Sequence, residues 1–542
     1  MRTILRQWAN VCFTACSSMT IVLLAGALLI FLIPMLSRGA TAVFFGATVE
    51  FRKMQADVFK RGGGPALQEE IARTDAARAE MFKLLEHFSL GIDTAQLENQ
   101  AKGFFRQYGD ELKFRDVPTA RYTELRQAAR VARDLFIDAL QSDDKPALLK
   151  MLDEVIAYRQ DERFVGTPME KLIALAADYR DVVEDIDLNR RAEYAEHLAA
   201  VKEQLRSLFG PLPGENAPAL AMYRYGATRR DVMKKHIDYL LWQDKWVEET
   251  PGKPLVKTRL RRDDPSGGIF AGTELAPLFA MVEQNAEAML NPRFTFYWQY
   301  FIDDSTPGHY FGGVGPEVLG TLLLTLLAMM FAVPLGVISA AYLVEYAGDN
   351  VVIKIIRTCI NTLAGVPSVV YGLFGLAFFV MIVGHPCILT ASMTLGLLSL
   401  PVIIRASEEA IRAVPKTYRE ASLALGAGKF RTFAAVTLPA AGPGILTGII
   451  LSLSRAAGDT ATILFAGAVA LGPVPDFAGK WWLQPTRALS YGCHDITVGD
   501  KLAAMVPHNQ FGMVMTLILL VLTLNIAAIM IRSRMSKKLR GQ

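Results

Sequence analysis

The sequence predicts an all-α integral membrane protein with six transmembrane helices and a mostly helical extracytoplasmic domain between the first two. The chain has 542 residues, of which 52% are hydrophobic and only 20% charged, and its mean hydropathy is +0.26. The charges are concentrated in particular stretches, which indicates a protein with both membrane and aqueous parts. Apolar runs long enough to cross about 30 Å of hydrocarbon as a helix lie at 11–36, 318–344, 363–383, 388–404, 445–471 and 511–531.

The first apolar run, at 11–36, is interpreted as an uncleaved membrane anchor behind a short cytoplasmic tip. The alternative is a secretory signal peptide, for which the small residues at 39–42 would form the cleavage site. The apolar run is well beyond the roughly 7–15 residues that are usual for the core of a signal peptide. We therefore expect 1–36 to stay attached as the first transmembrane segment.

The long segment at 37–310 is charged and contains no spanning run, and it is too long to be governed by the positive-inside rule. We expect it to be an extracytoplasmic domain of packed helical hairpins, because its apolar residues recur at spacings of three and four. Two such stripes are Leu198, Val201, Leu205 and Leu208, and Leu172, Leu175, Tyr179, Val182 and Ile186. Gly and Pro at 62–65 and 210–214 predict turns, and 253–272 predicts a loop or short hairpin. Its mixed charges favour a structural or docking role.

The other five runs form the predicted core, 311–531, which is followed by a basic tail, 532–542. Only Gly384-His385-Pro386-Cys387 separates the third run from the fourth, which predicts a tight turn. The tail has no acidic residue, and the loop between the fourth and fifth runs, predicted at 405–440, is rich in Lys and Arg. By the positive-inside rule, this loop and both termini are cytoplasmic.

A motif in this loop resembles the EAA loop of ATP-binding-cassette (ABC) importer permeases. It consists of Glu420, Ala421 and Ser422, then Gly426, and after a further nine residues the segment 436–439 with its Leu-Pro ending. In that family the short helix that carries Glu and Ala docks in a groove of the ATPase subunit, and the Gly lets the chain turn sharply. The resemblance implies that these four residues couple the chain to an ATPase and are not catalytic.

Other stretches of the core resemble one branch of these permeases, the PstA-type subunit of the high-affinity phosphate importer. They are GGVGP at 312–316, AYLVEYA at 341–347, AGVPSVVYG at 364–372, LPVIIR at 400–405 and SRAAGDT at 454–460. The resemblance implies a type I importer core in the inner (plasma) membrane, surrounded by lipid. It also implies a second homologous permease subunit, two copies of a cytoplasmic ATP-binding subunit and a soluble phosphate-binding protein as partners. It implies no cofactor and no nucleic acid.

Arg455 and Asp459 are the main candidates for the substrate path, together with Thr460, which ends the same motif. An Arg near the centre of a spanning helix costs about 2.5–3.5 kcal/mol on insertion scales and normally faces a cavity or a partner. Its guanidinium is always charged and matches the oxygens of phosphate. The alternative is an ion pair with Asp459, four residues later on the same helix face, and both roles are compatible. The family usually has Glu where this chain has Asp459.

Arg405, at the cytoplasmic end of the fourth predicted helix, matches a second arginine of the family. The resemblance makes it a candidate lower site for phosphate, with Glu409 four residues later as its partner. The alternative is an ordinary positive-inside anchor at the membrane surface.

The chain is not expected to be an enzyme. The stretch Gly426-Ala427-Gly428-Lys429 lacks the first Gly of a nucleotide-binding loop and the Ser or Thr after the Lys, so ATP hydrolysis is expected of a separate subunit. Cys387 and Cys493 both fall in predicted extracytoplasmic loops, where a disulfide between them can form. His385 and His494 lie beside them and leave a metal site as an alternative, although no recognised ligand spacing supports it.

The sequence therefore predicts the permease subunit of an ATP-driven importer of inorganic phosphate. One alternative is a permease for another oxyanion, sulfate or molybdate, with the same coupling loop. The other alternative is a membrane-anchored sensor or scaffold that has lost transport.

Overall fold

The protein is mostly helical, which confirms the predicted fold class. A computed structural model describes residues 2–215, 226–247, 256–348, 350–469, 472, 474–498 and 506–539. The chain forms two compact units. We call Met1–Phe45 with Thr295–Gln542 the membrane unit, and Gly46–Phe294 the insert.

The chain begins with helix α1, Arg2–Ala40, whose part Phe13–Ala40 is apolar and long enough to span a membrane. The apolar side chains of this part are largely exposed, since they pack on little of the chain itself. A helix of this kind needs a hydrocarbon environment around it. Strand β1, Phe44–Ala47, follows and leads the chain into the insert.

In its described residues, the insert consists of helical hairpins and a β-hairpin. Its elements after β1 are α2 (Val49–Val58), α3 (Pro65–Ile92), α4 (Thr94–Phe114), α5 (Thr119–Gln141), α6 (Lys145–Ala157), α7 (Pro168–Asp185), α8 (Arg191–Phe209), α9 (Arg230–Leu241), β2 (Trp242–Val247), β3 (Val256–Arg261), α10 (Ala276–Leu290) and β4 (Arg293–Phe296). Strands β2 and β3 are antiparallel and form a hairpin where the sequence predicts a loop or hairpin. The two predicted apolar stripes, on α7 and α8, are buried as expected for core-facing sides of helices.

Two arginines of the first helices form ion pairs there and also hydrogen-bond to the end of the insert's last helix. Arg78, with 3% of its side chain exposed, donates to Glu50 at 3.0 Å and to the carbonyl of Met289 at 2.9 Å. Arg52 binds Glu70 and also donates to the carbonyl of Asn291 at 2.7 Å. A charge removed from water at this depth needs such partners, because leaving it unpaired is costly. These contacts therefore hold the two ends of the insert's chain together.

The rest of the membrane unit is helical throughout its spanning part. Its elements are α11 (Gly315–Tyr346), α12 (Val351–Leu363), α13 (Ser368–Val383), α14 (Ile388–Arg412), α15 (Lys416–Ala424), α16 (Lys429–Gly458), α17 (Ala461–Ala466), α18 (Leu489–Val498) and α19 (Pro507–Leu539). Small residues let α14 and α16 approach closely: a Cβ on Gly448 would lie 2.3 Å from the Cβ of Ala406. Among the described residues, α1, α11, α14, α16 and α19 can each span a membrane by length and composition.

The third predicted span, 363–383, is part of a bent pair of helices. Helix α12 ends at Leu363, and α13 starts at Ser368 at an angle of 102° to it. Pro367 explains the break, because proline has no N–H to donate and pushes the preceding residue out of helical conformation. The sequence prediction missed α12 because its Lys and Arg lower the hydropathy of a segment that is otherwise rich in Ile and Val. The tight turn predicted before Ile388 is confirmed, with Gly384 at φ +93°.

The fifth span differs most from its prediction, 445–471. The observed helix α16 begins at Lys429 and ends at Gly458, after which Asp459 is extended. The Asp459 carboxylate accepts a hydrogen bond from the Thr462 amide at 3.0 Å and so caps α17. The polar connection between α14 and α16 is consequently short, 413–428, instead of the predicted 405–440. Arg455 lies in the last turn of its helix.

Candidate functional site

The predicted coupling motif forms a short surface helix between α14 and α16. Pro415 precedes helix α15, and Gly426 follows it with φ +84°, a left-handed conformation that favours glycine. The Gly426 amide donates to the carbonyl of Leu423 at 2.9 Å, which closes the end of the helix. Glu420 and Ala421 are exposed, and Ser422 is half-buried with its hydroxyl 2.9 Å from that of Thr432 on α16. The motif is thus a helix presented to solvent.

Large apolar side chains accompany this helix on the surface. Tyr418 is 54% exposed, Leu423 45%, Leu425 90% and Phe430 75%. Scattered apolar residues are ordinary on a protein surface, but four of them within 13 residues of a basic connection form a patch that suits contact with another protein. This segment of the chain can therefore bind a partner through both polar and apolar groups.

One arginine, which the sequence reasoning missed, fixes α15 to the spanning helices. The Arg419 Nε donates to Glu345 at 2.9 Å, near the end of α11. The other guanidinium nitrogens donate to the carbonyls of Val414 at 3.0 Å and Ile411 at 2.7 Å, just after and within the end of α14. Because the three bonds come from one planar group, they fix α15 relative to both helices. Arg419 therefore links α15 to the ends of both α11 and α14.

The predicted ion pair between Arg455 and Asp459 is absent among the described residues. The Asp459 carboxylate is instead engaged at the start of α17, and the Arg455 side chain is exposed. The two residues do not share a helical face, since the helix ends between them and Asp459 is extended. Thr460, the residue that directly precedes α17, is half-buried. Arg455 hence presents its charge at the surface of the isolated chain.

Arg405 and Glu409 are also exposed, and the structure gives no ion pair between them in the part of the chain that it describes. The neighbouring Glu408 forms the ion pairs of this turn, with Arg412 at 2.5 Å and with Arg357 at 3.1 Å. The pair expected between Arg405 and Glu409 is thus not formed among the described residues, and the paired carboxylate of this turn is Glu408, which faces α12.

The disulfide between Cys387 and Cys493 is not formed, and both residues are free cysteines. Cys387 is fully buried directly before α14, where its sulfur lies 3.4 Å from the hydroxyl of Thr390. Cys493 lies on α18, not in a loop. Among the described residues, no group of three or more His, Cys, Asp or Glu is arranged to hold a metal ion.

A buried polar cluster at the start of α11 also escaped the sequence reasoning. Glu317 is 1% exposed, and its carboxylate lies 3.5 Å from Arg487, which in turn contacts Asp304 at 2.6 Å. His309 is 2% exposed, neither ring nitrogen has a hydrogen-bond partner among the described residues, and burial lowers its pKa to about 4. A Glu in the first turn of an apolar helix is the signal that could have indicated this cluster.

Comparison with known proteins places these features in context. Residues 332–541 match the family model described as binding-protein-dependent transport system inner membrane component. The chain is 41% identical over 155 residues to the probable ABC transporter permease protein YqgI of Bacillus subtilis, covering 28% of this chain and 53% of that protein. It is 35% identical over 238 residues to the phosphate transport system permease protein PstA 1 of Mycobacterium tuberculosis, covering 44% of this chain and 76% of that protein. The match to PstA of Mycobacterium leprae is 38% over 169 residues, or 31% of this chain and 55% of that one.

Proposed function

Because the chain belongs to the family of binding-protein-dependent transport system inner membrane components, and within it to the PstA type, we propose that it is the permease subunit of an ATP-driven importer of inorganic phosphate. The names of two relatives support phosphate as the substrate, since both are phosphate transport system permeases. In this proposal the transporter lies in the inner membrane, both termini are in the cytoplasm, and the insert is on the extracytoplasmic side. The basic segments around α15 and in the tail support this orientation.

The observation that carries the proposal is the exposed helix α15. Its motif residues Glu420 and Ala421 face solvent beside the apolar patch, as a docking helix requires. The partners are two copies of a separate ATP-binding subunit, which contact α15 and its counterpart on a second, homologous permease subunit. Through Arg419, movement of the docked ATPase reaches the ends of α11 and α14. ATP is hydrolysed by that partner, and this chain carries out no covalent chemistry.

Arg455 and Arg405 are proposed to line the phosphate path. Both guanidinium groups are exposed and form no ion pair within the described chain, so neither charge is neutralised by a carboxylate. A fixed positive charge attracts phosphate at any physiological pH, since arginine does not titrate there. Asp459, Thr460 and Glu409 lie close in sequence and supply polar groups along the same path. A soluble binding protein delivers phosphate to the outer side.

The test is uptake of labelled phosphate by cells that make the complete transporter with Arg455→Gln. We expect uptake to be lost while the complex still assembles in the membrane. Arg534→Gln is the matched control, because Arg534 is also exposed but lies in the basic tail, away from the path. Normal uptake by Arg455→Gln would contradict the proposed role of this residue.

Two further measurements separate the alternatives. Uptake of labelled sulfate or molybdate that unlabelled phosphate does not reduce would assign the chain to another oxyanion. Glu420→Lys is expected to abolish transport through loss of coupling to the ATPase. A chain that acts as a sensor or scaffold would keep its function with this substitution.

A further inference from the structure

Helix α12 lies between two spanning helices and is connected to each by a short segment. Four residues, 347–350, separate it from α11, and another four, 364–367, separate it from α13. Four residues reach at most about 14 Å, so both ends of α12 stay close to the ends of spanning helices. Its axis makes an angle of 102° with α13. If α13 crosses the bilayer, α12 runs nearly parallel to the membrane plane.

The side chains of α12 are sorted onto three sides of the helix. Ile353, Arg357 and Ile360 face the protein and are buried or half-buried. Five of the six exposed apolar side chains follow helical spacings of three, one, three and four residues, which put them on one continuous face; they are Val352, Ile355, Ile356, Cys359 and Leu363. The sixth, Val351 in the first turn, lies beside the polar side chains. The exposed polar side chains lie on the third side, about a third of a turn from the apolar face; they are Lys354, Thr358, Asn361 and Thr362.

The protein-facing side is fastened to the cytoplasmic ends of two spanning helices. The Arg357 guanidinium donates to the carbonyl of Leu343 in the last turns of α11 at 2.8 Å, and it lies 3.1 Å from Glu408 of α14. These contacts fix the rotation of α12 about its own axis. As a result the apolar and polar faces are held about a third of a turn apart, and both point away from the chain's own core.

We propose that α12 is a membrane-surface helix whose apolar face is buried in lipid at the cytoplasmic headgroup boundary. A helix in this position buries its apolar side about 5–10 Å into the boundary between headgroups and acyl chains and keeps its polar side in water. The apolar face, defined by Val352, Ile355, Ile356, Cys359 and Leu363, is the lipid-contacting surface. Through Arg357, this surface holds the ends of α11 and α14 at the level of the headgroups.

The composition of α12 favours lipid over a protein partner. The helix contains Lys354 and Arg357 and no acidic residue, which suits the anionic surface of a cytoplasmic leaflet. The exposed apolar residues are aliphatic, without the aromatic residues that are enriched in protein interfaces. The proposal rests on the proposed membrane orientation but not on phosphate as the substrate.

Cys359 provides a native probe in the middle of the apolar face. A nitroxide spin label is attached there in the complete transporter, reconstituted in phosphatidylethanolamine–phosphatidylglycerol bilayers, with the other four cysteines replaced by Ser. The label's collisions with oxygen, which concentrates in lipid, are compared with its collisions with a water-soluble nickel chelate. A second chain carries Cys359→Ser and Thr358→Cys, which moves the label by one residue to the polar face.

We expect the label at Cys359 to collide mainly with oxygen and the label at Thr358→Cys mainly with nickel, a reversal between adjacent residues. Nickel accessibility at both positions would overturn the proposal, because the apolar face would then be in water. A label at Cys359 that is immobile and shielded from both reagents would also overturn it, since the second permease subunit would then cover this face. The measurement does not involve phosphate uptake. Its outcomes would therefore be the same if the transporter proved to carry another substrate.

Discussion

The bonds of Arg419 predict how firmly helix α15 is held on the membrane unit. Arg419→Gln removes the ion pair with Glu345 and two charged hydrogen bonds to carbonyls near the end of α14. Hydrogen bonds from charged groups contribute about 1.5–3 kcal/mol each, but the Arg419 side chain is 18% exposed and water replaces part of this. We expect a loss of about 2 kcal/mol in the local stability of α15, which equals about a 30-fold faster exchange of its amide hydrogens.

Glu345→Gln removes only one of the three bonds and should accelerate exchange about fivefold, for about 1 kcal/mol. The control is Arg412→Gln: its side chain is 53% exposed, its pair with Glu408 lies on the helix surface, and the expected change is about twofold. Exchange in α15 would be followed by mass spectrometry on the assembled transporter. If Arg419→Gln and Arg412→Gln gave the same exchange rates, the reasoning about Arg419 would be refuted.

Three other predictions concern buried groups. Among the described residues, Arg78→Leu leaves Glu50 with Lys53 as its one remaining ion-pair partner and should destabilise the insert by about 3 kcal/mol in chemical unfolding. The exposed Arg73→Leu should change this stability by less than about 0.5 kcal/mol. Burial lowers the pKa of His236 from 6.5 to about 4, so the unfolded chain binds the proton at a higher pH than the folded chain does. The free energy of unfolding of the insert should therefore fall by about 3 kcal/mol as the pH falls from 6.5 to 4. His236→Gln should remove this part of the pH dependence. Gly320→Ala places a Cβ 1.9 Å from the carbonyl oxygen of Arg487, so the melting temperature of the transporter should fall, and an unchanged value would contradict the close packing.

The sequence predicts helices well where one local property decides the structure. Hydropathy is sufficient for α1, α11, α14 and α19, because each is a continuous apolar helix. It finds α13 within a few residues but misses α12, whose Lys and Arg lower its hydropathy, and Pro367 breaks the helix between the two. It also misplaces α16, whose amino-terminal turns are polar and basic although they are helical.

The sequence predicts the part of the candidate site whose residues are close together in the chain. The motif from Glu420 to Gly426 lies on one helix and its closing turn, so its spacing is visible in the chain. Arg419 and its partner Glu345 are 74 residues apart, and Glu317 and Arg487 are brought together from separate helices and loops. No periodicity connects such pairs. The ion pair considered between Arg455 and Asp459 does not form in the described structure, because a spacing of four residues brings side chains together only within an unbroken helix, and the helix ends at Gly458.

The strands that lead into and out of the insert lie side by side. Strands β1 and β4 pair with each other, and the rings of Phe44 and Phe296 stack with their centroids 4.9 Å apart. The carbonyl of Val43 also accepts a hydrogen bond from the amide of Tyr297 at 2.8 Å. A tight two-residue turn could therefore join the two strands directly. The insert is therefore attached through one pair of neighbouring strands. A single deletion between β1 and β4, closed by such a turn, would remove the insert and leave the membrane unit as one continuous chain.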